Sequence, residues 1–266
     1  MAKYIAHSSI DERGKISGGV VGDQTKKECC IRTWYDKPFG HVLRIEDEKI
    51  RVQFANNMID CANNDNIGYD QGGRNTVLTQ AEKVNFDFTA IKTPCESDCS
   101  SIITTCILGA IFKLMGKDAY LEAKKVLVTS GNCCTTRTLE SQLLKLTMFK
   151  VSVYTSSDYT RSTKNAVYGD IYNKEGSHVV AYIDDGNKKS TTTPNTKKIK
   201  AGDKFTLKDT PIYSSKSGNT IGKRSGVFYA WEDEPTKCGR IKMTNAKNRV
   251  GVSGQVSFFV EVSSLK

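Results

Sequence analysis

Apolar positions in "CESDCSSIITTCILGAIFKLMG", residues 95–116, recur at helical spacing, with Ile103, Cys106 or Ile107, Ala110, Ile111 and Leu114 on one stripe. The pattern predicts a helix that buries this stripe. Ser97 or Asp98 can cap it, because a short oxygen side chain accepts from the orphan N–H groups of a first turn. The same periodicity predicts helices in "TKKECCIRTWY", "EDEKIRVQFANNMIDCANN", "DAYLEAKKVL" and "TRTLESQLLKLTMFK". Strand-type runs follow in "KVSVYT", "AVYGDIY" and "HVVAYID". Helices first and strands afterwards predict an α+β domain rather than alternating βαβ units.

The periodicity stops at "DDGNKKSTTTPNTKKIKAGD", residues 184–203, which reads as a linker. Beyond it, "KFTLKDTPIYSS", "RSGVFYAWED", "GRIKMTNAKNRVG" and "QVSFFVEVSSL" are short β-type runs between Gly, Ser and Asn turns. They predict a small all-β barrel. The expected organisation is a catalytic-type domain over 1–187, a linker over 188–200 and a barrel over 201–266.

Charge sharpens this division. The chain has 266 residues, 39 Lys and Arg and 29 Asp and Glu. From Lys188 onward the counts are 16 and 6, which leaves 23 and 23 before it, so the whole net charge of +10 belongs to the last third. A basic terminal module fits a polyanionic partner, either nucleic acid or an acidic envelope polymer. Phe228, Tyr229 and Trp231 occur there with Lys223, Arg224 and Arg240, a mixture that suits base stacking, a wall polymer or a barrel core. At 38% hydrophobic and 26% charged the composition is that of an ordinary globular protein. No apolar run approaches the roughly 18 residues of a membrane span. The opening "MAKYIAHSSIDERG" has no h-region, so no secretory signal is expected. Nine cysteines, an odd number, then predict reduced thiols rather than a disulfide framework. Cys95, Cys99 and Cys106 lack the spacing of a structural zinc site.

Cys99 falls in the first turn of the predicted helix, where the helix dipole would favour a thiolate. A cysteine nucleophile needs a base, usually a histidine distant in sequence. His178, at the mouth of "SHVVAYID" after the turn "NKEGS", is the best placed of three, with Val180 and Tyr182 continuing its face of the strand. His41, in "KPFGHVLR", is expected at a helix start, and His7 near a flexible beginning with no partner. Trp34 and Tyr35 are expected in the core or a packed turn rather than as a sugar platform. The acids in "EDEK", residues 46–49, suit a helix start better than a glycosidase pair.

"SDCSSII" resembles the Asp-Cys-Ser-Gly-apolar helix start of NlpC-type cell-wall cysteine peptidases, relatives of the papain fold, with Ser101 where that family usually has Gly. "YGDIYNKEGSHVVAYIDDG" resembles the same family's Gly-Asp strand, turn and His-Val-x-x-Tyr strand, in the family's order. "TPIYSSKSGNTIG" to "NAKNRVGVSGQVSFFVEV" resembles bacterial SH3-like wall-binding modules. "HSSIDERGKISGGVVGDQTKKE" and "NIGYDQGGRNT" resemble prophage lysins of Gram-positive hosts. The resemblance implies an α+β papain-like cysteine peptidase domain followed by a small all-β SH3-like barrel. It implies Cys99 as nucleophile and His178 as a base that forms an ion pair with it. Backbone N–H groups of the first helical turn would hold the oxyanion. Asp98 and Ser100 match positions that contact the free amine of the stem peptide, Tyr69 matches an aromatic that closes over substrate, and Gln71 offers an oxyanion donor by analogy with papain.

The implied function is a peptidoglycan endopeptidase, an endolysin made in the host cytoplasm that acts on the Gram-positive wall, with acidic wall polymers as a further partner and nucleic acid the less favoured one. It needs no metal or organic cofactor. The alternatives are an amidase at the sugar–peptide junction, an acyltransferase, or a non-catalytic phage protein that binds wall or nucleic acid. The third group that should orient His178 is missing from the expected place. Asp184 lies six residues along the same strand, roughly 20 Å away at about 3.3 Å per residue. Asn187, or Asp11, Glu12 or Gln24 from an overfolded amino-terminal segment, are the remaining candidates.

Overall fold

In the computed structural model the chain begins with three strands, not helices: β1 (Tyr4–Ser8), β2 (Cys29–Thr33) and β3 (His41–Ile45). Two of them overturn helical expectations, for "TKKECCIRTWY" and for His41. The reason in β3 is burial on both faces, since Val42 packs to one side while Leu43 and Ile45 pack to the other. A strand covered on both sides carries a continuous apolar run whose spacing mimics a helix. Residues 2–190, 199–215, 218–233, 240–261 and 264–265 are described. Most of the expected linker, and Cys238, lie outside them.

The chain divides into two compact units, residues 1–192 and 193–266. In the first, α1 (Glu48–Ala62) follows β3, then come β4 (Ile67–Tyr69), α2 (Thr76–Lys83), β5 (Cys95–Ser97) and α3 (Cys99–Met115). After α4 (Lys117–Leu127) a short hairpin pairs β6 (Val128–Thr129) with β7 (Asn132–Cys133). The expected helix over "TRTLESQLLKLTMFK" shrinks to α5 (Leu139–Leu143). The unit closes with β8 (Val151–Tyr154), α6 (Ser157–Thr160), β9 (Ile171–Lys174) and β10 (His178–Asp184). Strands and helices are therefore interleaved rather than segregated along the chain.

The main sheet is antiparallel, in the order β2-β1-β10-β9-β3-β8. The amino-terminal strand sits beside the last strand of the unit, with Ile5 opposite Tyr182 and Ala6 opposite Ala181. One face of the sheet joins Ala6, Leu43, Ile171, Val179, Ala181 and Ile183 to the helices in one core. α3 lies at its centre and is buried nearly all round, although Leu114 on its predicted stripe reaches solvent at 40% exposure. The opposite face carries Ile5, Val180, Tyr172 and Tyr182 under Phe39, with Trp34 and Tyr35 packed against them. Tyr182 N–H bonds to Asp170 O and Gly169 N–H to Tyr182 O, which fixes the turn that leads into β9. Gly169 has φ +89° and lies so close to Arg51 that a Cβ would sit 2.5 Å from its carbonyl oxygen.

The second unit is a closed barrel of β11 (Lys204–Tyr213), β12 (Thr220–Ala230), β13 (Arg240–Thr244) and β14 (Phe258–Glu261). Leu207, Ile212, Ala230, Ile241, Met243, Phe258 and Val260 fill it, with Phe228 edge-on to Phe258 at 4.8 Å. Two further aromatics face cations. Arg240 stacks on Tyr213 at 3.5 Å and Lys242 on Trp231 at 4.5 Å.

Candidate active site

Asp98 is the cap of α3, as the sequence predicts. Its Oδ1 accepts from Ser100 N–H at 3.0 Å and Ser101 N–H at 2.7 Å, and its own N–H donates to Ser101 Oγ at 2.8 Å. The capping box fixes the first turn and the direction in which Cys99 leaves it. Arg74 grips the same carboxylate, with Nε 2.6 Å from Oδ2 and Nη2 3.3 Å from Oδ1, and further donates to Ser100 Oγ and to the carbonyls of Cys133 and Cys134. Burial alone would raise the Asp98 pKa, yet Arg74, the Ser101 N–H and the Ser100 hydroxyl outweigh it and hold the carboxylate ionised. Asp98 and Ser100 are thus fully engaged inside the protein, at 8% and 2% exposure. The free-amine role that the resemblance implies for them meets an Arg74 already in place.

Cys99 is 8% exposed, and the backbone of Val179, the residue after His178, is among the groups that favour its thiolate. The helix end does not produce a resting thiolate. Burial, and then the neighbouring Asp98 charge, push the thiol up to about 11. Burial likewise lowers His178 to about 4, followed by the positive charges of Lys37 and Arg32. Both shifts favour the neutral thiol and neutral imidazole over the ion pair that the resemblance implies.

The group beside His178 comes from the start of the chain. His7, on β1, is 1% exposed, and its Nδ1 lies 2.8 Å from His178 Nε2, with the rings at 72°. Placing the shared proton on His178 Nε2 leaves His178 Nδ1 free to accept from a thiol. Burial lowers His7 to about 3, with the His178 charge second, so neither ring competes for a second proton. Among the described residues His7 Nε2 is buried without a hydrogen bond. Asp184 is committed elsewhere, to Lys3 and Lys189. Asp11 binds Arg13, and Gln24 donates to the carbonyl of Val21. Asn187 turns back on Asp185. Glu12 accepts from the Val20 N–H.

Tyr69 and Gln71 reach the same mouth. β4 and β5 run parallel with Tyr69 opposite Ser97, so Tyr69 arrives level with the approach to Cys99. Its hydroxyl accepts from Gln71 Nε2 at 3.3 Å, and burial raises the phenol to about 12, which keeps it a donor. The structure therefore places Asp98 and Ser100 beside Cys99 in the first turn of α3 and Tyr69, with Gln71 on its hydroxyl, level with Ser97 just before it, while His178 precedes the residue whose backbone acts on Cys99. Sequence reasoning missed the contacts of His7 and Arg74. The signal for His7 is the alternation in "YIAHS", a five-residue strand pattern.

A family model, the endolysin-like domain, matches residues 5–189. The chain belongs to that family. No curated protein and no solved structure matches it. The endolysin-like match spans β1 to β10, and so contains His7, Cys99 and His178 together, while the barrel lies outside it.

Proposed function

We propose that this endolysin-like protein is a peptidoglycan hydrolase that cleaves an amide bond of the wall peptide through Cys99, His178 and His7. The observation that carries this reading is the buried contact of His7 Nδ1 with His178 Nε2 at 2.8 Å, on the strand whose next residue, Val179, acts through its backbone on Cys99. In the reaction Cys99 Sγ attacks the scissile carbonyl while its proton passes to His178 Nδ1, and His178 then delivers that proton to the leaving amine. His7 acts as a positioning residue, since its Nδ1 fixes the tautomer that leaves His178 Nδ1 basic. Ser100 and Ser101 N–H are spent on Asp98, so the Cys99 N–H is the first-turn donor left for the oxyanion. Water then hydrolyses the thioester. Tyr69 and Gln71 line the approach as donors.

The first unit is read as a papain-like peptidase domain and the barrel as an SH3-like module whose basic surplus holds acidic polymers of the Gram-positive wall. The endopeptidase reading and the amidase alternative share this chemistry and differ in the bond presented to Cys99. The test is turbidity loss of purified Gram-positive walls by the native chain, Cys99→Ala and His178→Ala. Clearing by the native protein alone supports the reading, and equal clearing by all three removes both residues from the mechanism. Clearing by none of them favours a binding protein.

A further inference from the structure

We propose that a cavity at the far end of β10 from His178 binds the phosphoryl group of a small organic phosphate, with Arg51 as its anchor. The cavity has a volume of about 600 Å³, within the range of small-molecule sites, and all its walls belong to the first unit. Arg51 lines it from α1, Lys3 from the start of the chain, Lys164 from the segment before β9 and Lys189 from beyond β10. Asp184, which also lines it, lies six residues along β10 from His178, roughly 20 Å at about 3.3 Å per residue. A ligand held there is clear of Cys99, and nothing in its binding depends on the Cys99 chemistry.

Arg51 is what points to an anion. It is 8% exposed, and a charge so far out of water is costly unless it is paired. Arg44 and Arg74 of the same unit hold Asp170 and Asp98. Arg51 holds no acid among the described residues. Its Nε donates to Tyr168 O at 3.2 Å and its Nη1 to Ile45 O at 2.6 Å, while Nη2 has no acceptor among them. Gly169 leaves the side chain its path, since a Cβ there would lie 2.5 Å from Arg51 Cγ. Two carbonyls thus fix the plane of the guanidinium at the wall of a cavity and leave donors over for a ligand. The rest of the lining matches in charge. Lys3, Arg51, Lys164 and Lys189 face only two acids, Glu48 and Asp184, and Asp184 is already gripped by Lys3 at 2.5 Å and Lys189 at 2.6 Å. The surplus of two positive charges equals what a phosphate monoester carries near neutral pH, where a carboxylate would neutralise half of it. The wall is also built rather than loose: Asn56, buried on α1, accepts from Lys189 N–H at 3.0 Å and donates to Lys189 O at 2.7 Å. Val52 and Ala166 offer apolar surface to the organic part.

The experiment titrates the full chain with sn-glycerol 3-phosphate by calorimetry at low ionic strength, with glycerol as the uncharged control. One molecule should bind per chain with a dissociation constant of about 1 mM or tighter, and glycerol should give no binding heat. Arg51→Lys, which keeps the charge but not the planar fork, should weaken binding about tenfold. Lys164→Gln, at an exposed position that the fold does not need, should weaken it about threefold. Arg224→Gln in the barrel should leave it unchanged. Melting temperatures show that each variant is folded, and Lys164→Gln against Arg224→Gln carries the test if Arg51→Lys is not. No saturable binding to the native chain, or equal weakening by Lys164→Gln and Arg224→Gln, overturns the site, the second result marking a diffuse attraction to a basic surface. Inorganic phosphate should bind about tenfold more weakly than glycerol 3-phosphate, and equal affinity overturns the assignment to an organic phosphate.

Discussion

Replacing His7 by glutamine should weaken the acid sensitivity of the folded chain by an amount the structure fixes. His7 titrates at about 3 in the fold, against about 6.5 in an unfolded chain. A folded-state pKa below the unfolded one means that the unfolded chain takes up the proton first, so stability falls as pH falls below 6.5. At pH 7 the cost is about 0.2 kcal/mol, and at pH 5, with the unfolded histidine almost fully charged and the folded one neutral, it is about 2 kcal/mol. Glu96 runs the other way. Burial raises its carboxyl to about 7, so its contribution favours the fold at low pH and is lost as pH rises from about 4.5 through 7. The native pH profile is a sum of such opposed effects, and only the difference between native and His7→Gln isolates the histidine. Urea unfolding at pH 7 and pH 5, in a Trp231→Phe background so that Trp34 reports the first unit, gives that difference. The gap between the two proteins should move by about 2 kcal/mol in favour of the variant on going to pH 5. Parallel stabilities at the two pH values would refute a buried, neutral His7.

Asp98→Ala removes the cap of α3 and leaves Arg74 unpaired in a buried site, and should cost about 3 kcal/mol or more in urea unfolding, against about 1 kcal/mol for a cap alone. Gly169→Ala places a Cβ 2.5 Å from the Arg51 carbonyl at a positive φ and should destabilise by about 2 kcal/mol or more, read by the same titration. Alkylation of Cys99 by iodoacetamide should keep rising about tenfold per pH unit from pH 7 to pH 10, because its thiol titrates at about 11. A rate already level at pH 6 would show a resting ion pair instead.

Cys99 and His178, the proposed nucleophile and base, were legible because each sits in a local pattern. Asp98-Cys99 opens an apolar helical run, and His178 opens an alternating strand after a Gly turn. The partner of His178 was not legible, since His7 comes to it from β1, 171 residues away, and no local pattern encodes a contact at that separation. A different pairing, with β1, turned Cys29–Thr33 into a strand, where Ile31 and Thr33 lie along β1 and the apparent helical spacing carries no weight. Burial also decided the charge state at Cys99. A helix end favours a thiolate, but the closed surroundings and the Asp98 carboxylate favour the thiol, and these depend on packing. The barrel strands were legible from turn spacing. The seating of Arg240 on Tyr213 and of Lys242 on Trp231 depends on cross-strand neighbours.

The central claim is that Cys99 carries the acyl group. Walls or wall peptides mixed with the native chain and quenched in acid within seconds should yield a Cys99 fragment heavier by a wall-peptide acyl group, labile to hydroxylamine and missing from Cys99→Ala. Wall cleavage that leaves Cys99 unmodified and releases new reducing sugar ends instead of new amines would contradict it.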